Sequence, residues 1–525
     1  MRIRIISIIC FVFVCLSLDA QNWPKIYGNS THFISRKVIN NYDNGYIIGG
    51  FIYDPLYFVK YSWIIKTDIN GNILWEKKIG NGNDQFAVHD IEECSDKGLI
   101  LIGGTTKYDT DFDPMVIKMN YCGEIEWCKV FHSMDTYNTG IRILSLESGY
   151  LALIKYHGYD ISNKRIFLFR LDETGEILWQ NVYAQNDPLI WNEEGYGLLQ
   201  TSDNNFIITG ACQYPTISGG DTSTYKSDRP YFIYVDSLGN EIWDLKWGIE
   251  QYSFGLSWQS IEKSPGIFYS ACGYATEGIP PYPVLFKYDI LGNQLYQKYL
   301  IDEPDLVGGG AETFEVYNDT NLIIGYHWRN THIPVDYGYS MIMKTDTMGN
   351  VISDRLFVEQ NRAPEDIEIT HDNKILVLGS YYTGSNWDTF LWKMNENLED
   401  DSLYTGQYTY DSLCPDPIVS DTMDCNCTVV GLEEIIKNSN DMFSWIYPNP
   451  AKERINLRLH KWKENKEKRF ALYSIQGIEI LVKEIPDYIQ STSVELPDLT
   501  PGLYIAVLYS GSEVLAREKM MVGTR

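Results

Sequence analysis

Residues 66–75 read Lys66-Thr-Asp68-Ile-Asn-Gly71-Asn-Ile-Leu-Trp75, and the phrase returns down the chain. Its copies are Lys118-Met-Asn120-Tyr-Cys-Gly123-Glu-Ile-Glu-Trp127 and Arg170-Leu-Asp172-Glu-Thr-Gly175-Glu-Ile-Leu-Trp179. Tyr234-Val-Asp236-Ser-Leu-Gly239-Asn-Glu-Ile-Trp243 and Lys287-Tyr-Asp289-Ile-Leu-Gly292-Asn-Gln-Leu-Tyr296 follow. Lys344-Thr-Asp346-Thr-Met-Gly349-Asn-Val-Ile-Ser353 has lost the aromatic, and Lys393-Met-Asn395-Glu-Asn-Leu398 is a decayed seventh copy. The steps between first residues are 52, 52, 64, 53, 57 and 49. A fixed period of this size signals a repeat architecture.

Each phrase joins two strands through a tight turn. Asp or Asn can accept hydrogen bonds from the turn backbone, and Gly three residues later tolerates positive φ. Upstream of each phrase lies a second hairpin, such as Phe33–Asn40, the turn Asp43-Asn44-Gly45 and Tyr46–Ile52. The unit is four antiparallel strands in about fifty residues. One twisted sheet cannot bury both faces, whereas seven stacked radially can. The expected fold is therefore all-β: a seven-bladed β-propeller over residues 21–404, with Trp75, Trp127, Trp179, Trp243 and Tyr296 packed between blades. Residues 23–28, Trp-Pro-Lys-Ile-Tyr-Gly, repeat the outer-strand pattern of Leu74–Gly80 without three strands before them. They are expected to pair with Asp388–Met394 and close the ring.

Composition excludes some partners. The 525 residues carry 43 Lys+Arg against 70 Asp+Glu, a net charge of −27 that repels phosphate backbones and argues against nucleic acid. With 44% hydrophobic and 14% aromatic residues the chain can bury a large core. Arg2 and Arg4 precede an apolar run, Ile5–Leu18, which reads as a signal peptide over residues 1–20 with cleavage after Ala20. That run is too short to span a bilayer comfortably, and no later segment suits a transmembrane helix.

Export permits disulfides. The mature chain keeps Cys94, Cys122, Cys128, Cys212, Cys272, Cys414, Cys425 and Cys427. Residues 405–443 are polar and turn-rich, a linker in which Cys414 is expected to pair with Cys425 or Cys427. Residues 444–525 contain short strands at regular intervals, as in a small Ig-like β-sandwich.

The tail's Tyr447-Pro448-Asn449-Pro450, Tyr473-Ser-Ile-Gln-Gly477 and Leu499-Thr-Pro-Gly502-Leu-Tyr504 closely resemble the type A C-terminal sorting domain of the bacterial type IX secretion system. The resemblance implies passage across the outer membrane, type IX machinery as a partner, and a secreted or surface-held product. The repeated Asp-x-x-Gly-[Asn/Glu]-x-x-Trp is similar to the blade signature of quinoprotein-type propellers. The quinone enzymes of that group have eight blades and adjacent cysteines, and this chain has neither, so the cofactor is not carried over. Gly49-Gly50 and Gly103-Gly104 resemble kelch blades in only two copies, and the spacing of a sialidase Asp box is not met.

Chemistry-bearing motifs are sparse. There is no GxSxG, HExxH or phosphate-binding glycine loop. Asp109, Asp111 and Asp113 alternate as in a calcium loop but lack the Gly and distal Glu of an EF-hand. No cofactor is expected, with calcium the alternative, and no catalytic or metal-binding residue is assigned.

Loop lengths single out one face. The turns between strands one and two, and three and four, stay short, while the other connections carry the extra length, notably Gln213–Pro230. Trp191, Trp258, Trp328, Trp387, Tyr225 and Tyr282 collect in these segments and are the candidate ligand-binding residues. The expectation is an exported propeller that binds a glycan or protein at the cell surface without catalysis. The alternative is a polysaccharide hydrolase or lyase working from the channel, which a convergent set of charged side chains there would favour.

Overall fold

The structure is a computed structural model. It describes residues 23–28, 31–54, 59–108, 110–133, 137–157, 164–183, 192–218, 221–248, 254–275, 282–301, 306–330, 339–357, 362–431, 446–447, 451, 454–458, 468–474, 478–486, 491–500, 502–511 and 513–522. The proposed signal peptide lies outside them, as do Pro448, Asn449, Pro450 and Gly477. The chain divides into two compact units, 1–432 and 433–525.

The first unit is all-β and is built from four-stranded antiparallel sheets, as in a propeller. Among the described residues there are seven. The first strands are His32–Asn40, Phe86–Glu93, Tyr137–Ser145, Glu193–Gln200, Phe254–Ser264, Leu306–Val316 and Arg362–Ile369. Each packs across the first three strands of the preceding sheet, and His32–Asn40 packs in the same way on the last. The cores lie between sheets: Ile47, Ile64, Leu101 and Ile117 join the first two, and Phe232, Phe268 and Phe286 join the fourth and fifth. The last sheet takes its outer strand from the chain's start, where Lys25–Tyr27 pairs antiparallel with Leu391, Phe390 and Thr389.

The recurring phrase folds alike in every copy. Oδ1 of Asp68 accepts hydrogen bonds from the amides of Asn70 and Asn72, both at 2.8 Å, and Gly71 sits at φ 74°. In the decayed copy Leu398 holds that left-handed conformation at φ 63°, a cost for a side chain with a Cβ. Its side chain is buried in the core between the last and first sheets, which offsets the strain. The opening Lys of the phrase reaches back to the Asp of the upstream hairpin turn. Lys66 Nζ meets Asp43 at 2.6 Å, Lys118 meets Asp96 at 2.8 Å and Lys393 meets Asp372 at 2.7 Å. Tyr234 donates to Asp203 at 2.7 Å instead. Both short turns of a sheet are thereby tied together.

The aromatics that close the phrase cover the next sheet's turn. Trp127 Nε1 donates to the Glu173 carbonyl at 3.0 Å, Trp243 Nε1 donates to that of Ile290 at 2.9 Å, and the Tyr296 hydroxyl donates to that of Thr347. A methyl group on Gly239 would collide with the Trp179 ring, and one on Gly71 would meet the Trp23 ring at 3.0 Å. Trp23, in the borrowed outer strand, thus takes the place against the first sheet that Trp179 takes against the fourth. Trp75 is buried; Trp127, Trp179, Trp243 and Tyr296 are only half-buried, because they lie over the turns rather than deep between sheets.

Residues 405–431 correct the expectation of a linker. They run as a strap against the first two sheets. Asp421–Met423 adds a parallel fifth strand to Ile73–Ile79, and Thr428–Gly431 adds one to Ile125–His132. Asn70 exchanges hydrogen bonds with the backbone of Tyr404, and the Ile69 amide donates to the Tyr410 hydroxyl. The disulfides are Cys122–Cys414 and Cys128–Cys427, so the expected local staple from Cys414 to Cys425 or Cys427 does not form. The strap lies flat against the outer strands, which places each cysteine beside the sheet rather than beside its neighbours in sequence. Cys425 stays a buried thiol.

In the second unit, two sheets share a core. One contains Ile446–Tyr447, Arg454–Arg458 and Ser491–Glu495; the other contains Lys468–Ser474, Glu479–Ile485, Gly502–Ser510 and Glu513–Val522. Ile455, Leu457, Phe470, Leu472, Val494 and Leu508 fill the space between. The hydroxyl of Tyr504 donates to the Thr500 carbonyl at 2.8 Å, bracing the bend before its strand.

Candidate functional site

All seven first strands break register at the same place. The bulges fall between Ser35/Lys37, Val88/Asp90, Gly140/Arg142, Gly195/Gly197, Ser257/Gln259, Ala311/Thr313 and Pro364/Asp366. A bulge re-aims the side chains around it. The residues just after the seven breaks therefore occupy one row along the inner strands: Lys37, Asp90, Arg142, Gly197, Gln259, Thr313 and Asp366.

Six of the row, all but Thr313, line a cavity of about 580 Å³, with Glu92 and Glu315 two residues further along their strands. Thr201, Ser202 and Asn204, in a turn between strands one and two, also line it. The cavity therefore lies toward the short-turn end, opposite the loops singled out from the sequence.

Hydrogen bonds fix its carboxylates. Asp366 accepts from the Val38 amide at 2.9 Å and lies 3.1 Å from Lys37 Nζ. Asp90 accepts from the Ile143 amide at 2.9 Å and Glu92 from that of Ser145 at 2.8 Å. Outside the cavity lining, Glu368 accepts from Asn40 Nδ2 at 2.6 Å. Each bond crosses to the first strand of the next sheet, so these carboxylates hold neighbouring sheets together and are held still themselves.

Burial, with repulsion from Asp90, pushes Glu92 up to about 8, although the Ser145 amide and Lys37 oppose the shift. Burial also pushes Glu368 up to about 8; Lys37 resists, and Asp366 and Glu315 add to it. Asp90 and Glu315 are raised mainly by burial. Two carboxyl groups are thus held protonated at neutral pH, and Lys37 is the cation they share.

Beside the row, Tyr196 and Trp258 pack at a tilt of 44° with ring centroids 4.7 Å apart. The Tyr196 hydroxyl donates to Glu194 at 2.6 Å, and Glu194 is flanked by Lys155 and Lys164. Burial would raise Glu194, but the two lysines overcome it and hold the carboxyl down at about 2. Burial also pushes His89 down to about 4, leaving a neutral ring against the Gly140 carbonyl at 2.9 Å.

Among the described residues, none of the six aromatics chosen from the sequence lines this cavity, and three of them, Trp258, Trp387 and Tyr282, have described side chains. Trp258 is in a first strand, not a loop. Trp387 packs on Tyr382 and Tyr282 on Tyr299, within strands of their own sheets. Gln213–Pro230 largely continues two paired strands, Phe206–Ser218 and Asp221–Val235. Trp191 and the side chains of Tyr225 and Trp328 lie outside the described residues. Asp113 is engaged by His132 Nδ1 at 2.7 Å and the Ser133 amide at 3.1 Å, while Asp109 lies outside the description. The charged row was missed because its members differ in sign and size. A polar residue eight positions before the turn glycine marks only two members, Lys37 before Gly45 and Asp90 before Gly98.

No curated protein matches the chain. Among solved structures it is similar to a protein of unknown function from Bacteroides caccae, at 12% identity over 56% of this chain and 89% of that one, TM-score 0.32. It is similar to sucrose-6-phosphate hydrolase from Lactobacillus gasseri, at 9% identity over 74% and 86%, TM-score 0.31. The extracellular domain of a putative hybrid two-component system from B. thetaiotaomicron matches at 9% identity over 93% and 80%, TM-score 0.20. Scores this low carry no argument about activity. Residues 445–523 match the secretion system C-terminal sorting domain family, a span that contains Tyr447, Gly502 and Tyr504. The chain therefore ends in a sorting domain of the type IX secretion system, which directs it to the cell surface or the extracellular space.

Proposed function

We propose that this is an exported seven-bladed β-propeller that binds a polar ligand at the cell surface without transforming it, its central channel being the site. A signal peptide over residues 1–20 starts its export, and an Ig-like β-sandwich forms the sorting tail. The observation that carries the reading is the convergence of Lys37, Asp90, Glu92, Arg142 and Asp366 from three neighbouring sheets and the last one on a single cavity. Polar groups held by backbone amides across sheet boundaries are preorganised, and a site in this size range suits a small saccharide or a side-chain cluster of a partner.

The carboxyl groups also favour a second reading, hydrolysis or lysis of a polysaccharide. Glu92, pushed up to about 8 by burial, and Asp366, engaged by Lys37, place two carboxyl groups in different surroundings on one cavity wall. The test is a glycan array with the secreted protein, followed by reducing-end and unsaturated-product assays on every glycan bound. Binding without turnover, lost in Arg142→Ala, supports the first reading. Turnover abolished by Glu92→Gln replaces it with the second. Retention of all binding by Arg142→Ala and Trp258→Ala moves the site away from the channel.

A further inference from the structure

Resting on the reading of the channel as the ligand site, we infer that its ligand is a glycan bearing free amino groups. The argument begins with charge. Lys37 is taken by Asp366 at 3.1 Å, and the Arg142 charge acts on Asp90. Glu92 and Glu315 remain on the wall, with one amide hydrogen bond each, from Ser145 and Val316. Among the described residues, the cation opposing both of them is the shared Lys37. Beyond them Glu368 shares Lys37 as well.

A second observation is independent of this balance. Asp90 is only 3% exposed, and its Oδ1 has no hydrogen-bond partner among the described residues. A buried carboxylate oxygen without a donor is costly, and an N–H brought by a ligand would relieve it. The wall thus lacks positive charge and a donor together, and an ammonium group supplies both. A bare metal ion would supply charge too. Among the described residues, however, the one group of possible ligands drawn to within 4.8 Å of one another is sulfur, Cys128, Cys425 and Cys427, and not these carboxylates. Tyr196 and Trp258, at the bulges next to Gly197 and Gln259 of the row, bring aromatic rings close to the cavity wall, the side chains against which sugars commonly pack. An ammonium beside Glu92 would take the place of the proton that group holds, so binding is expected to release protons.

The test is titration calorimetry of the full chain with glucosamine tetramer, N-acetylglucosamine tetramer and cellotetraose. Runs at pH 6.5 in buffers of different ionisation enthalpy would count protons. Expected is binding of the glucosamine tetramer about tenfold or more tighter than either neutral oligomer, with net proton release. The double variant Glu92→Gln/Glu315→Gln should lose that preference while still unfolding in a single cooperative transition. Single Glu315→Gln serves if the double variant unfolds. Equal or tighter binding of a neutral oligomer would overturn the inference and leave the channel reading standing. Absence of binding by all three would overturn the inference, and an array blank for every glycan would overturn a glycan ligand for the channel as well.

Discussion

The first two sheets and the third to sixth grow from the same repeated unit, yet their outer edges meet solvent differently. Outer strands Ile73–Ile79 and Ile125–His132 each carry an added parallel strand from the strap, with two disulfides beside it. Outer strands Ile177–Tyr183, Glu241–Lys246, Gln294–Tyr299 and Val351–Phe357 are, among the described residues, the last members of their sheets. The covered edges lie beside the seam where last and first sheets meet, a seam otherwise held by Trp23, Lys25–Tyr27 and the core between those sheets. The repeat alone can stack sheets. Joining the two ends of a stack takes material from outside the repeat, and this chain supplies it from both termini of the ring.

The largest effect expected from breaking this contrast comes from the disulfides. Their loops span 292 and 299 residues and nearly coincide, so either bond alone closes almost the same circuit. Cys122→Ser or Cys128→Ser alone should change stability little. The pair together should cost on the order of 5 kcal/mol by loop-closure entropy, read from denaturant unfolding without reductant. A full loss from either single variant would show that the strap pins only its local strand.

Next in size is the buried ion pair under the strap. Lys66 and Asp43 each have side chains 2% exposed, so Lys66→Met should cost about 3–5 kcal/mol by stranding the carboxylate, and Lys66→Met/Asp43→Leu should recover most of it. In the uncovered fifth sheet the equivalent Lys287 lies over the rings of Tyr269 and Tyr296. Lys287→Met there should cost about 1 kcal/mol or less.

Stability should also depend on pH through the channel. Glu92 and Glu368 hold their protons up to about 8 in the folded state, against an ordinary value of 4.5 once unfolded. The folded chain binds more protons in that interval, so stability falls as pH rises from about 4.5 to 8 and levels off above. Glu92→Gln should flatten this slope in a midpoint-against-pH series; a slope left unchanged would place its source elsewhere. The smallest effect expected is in the tail, where Tyr504→Phe removes the bond to Thr500 and should lower the stability of that unit alone by about 1 kcal/mol.

The sequence made the sheets legible because turn chemistry is local. An Asp or Asn and a Gly three apart announce a turn wherever they occur, and the orphan Trp23–Gly28 announced a shared strand. The tail was legible through three ordered motifs. The strap was not, because its cysteines find partners some 290 residues away and nothing in their spacing marks which sheet they meet. The charged row was illegible for a related reason. Trp258 was placed with the loops by its composition, but it sits at a bulge after four paired residues of its strand, and a bulge leaves no residue type behind it in seven strands as varied as these.

The account rests on the strap as the clasp of a closed ring, and non-reducing peptide mapping of the secreted protein by mass spectrometry tests it most directly. It predicts linked peptides joining Cys122 to Cys414 and Cys128 to Cys427, with Cys425 free to alkylate once unfolded. A peptide joining Cys414 to Cys425 or Cys427, with Cys122 and Cys128 both free, would contradict it.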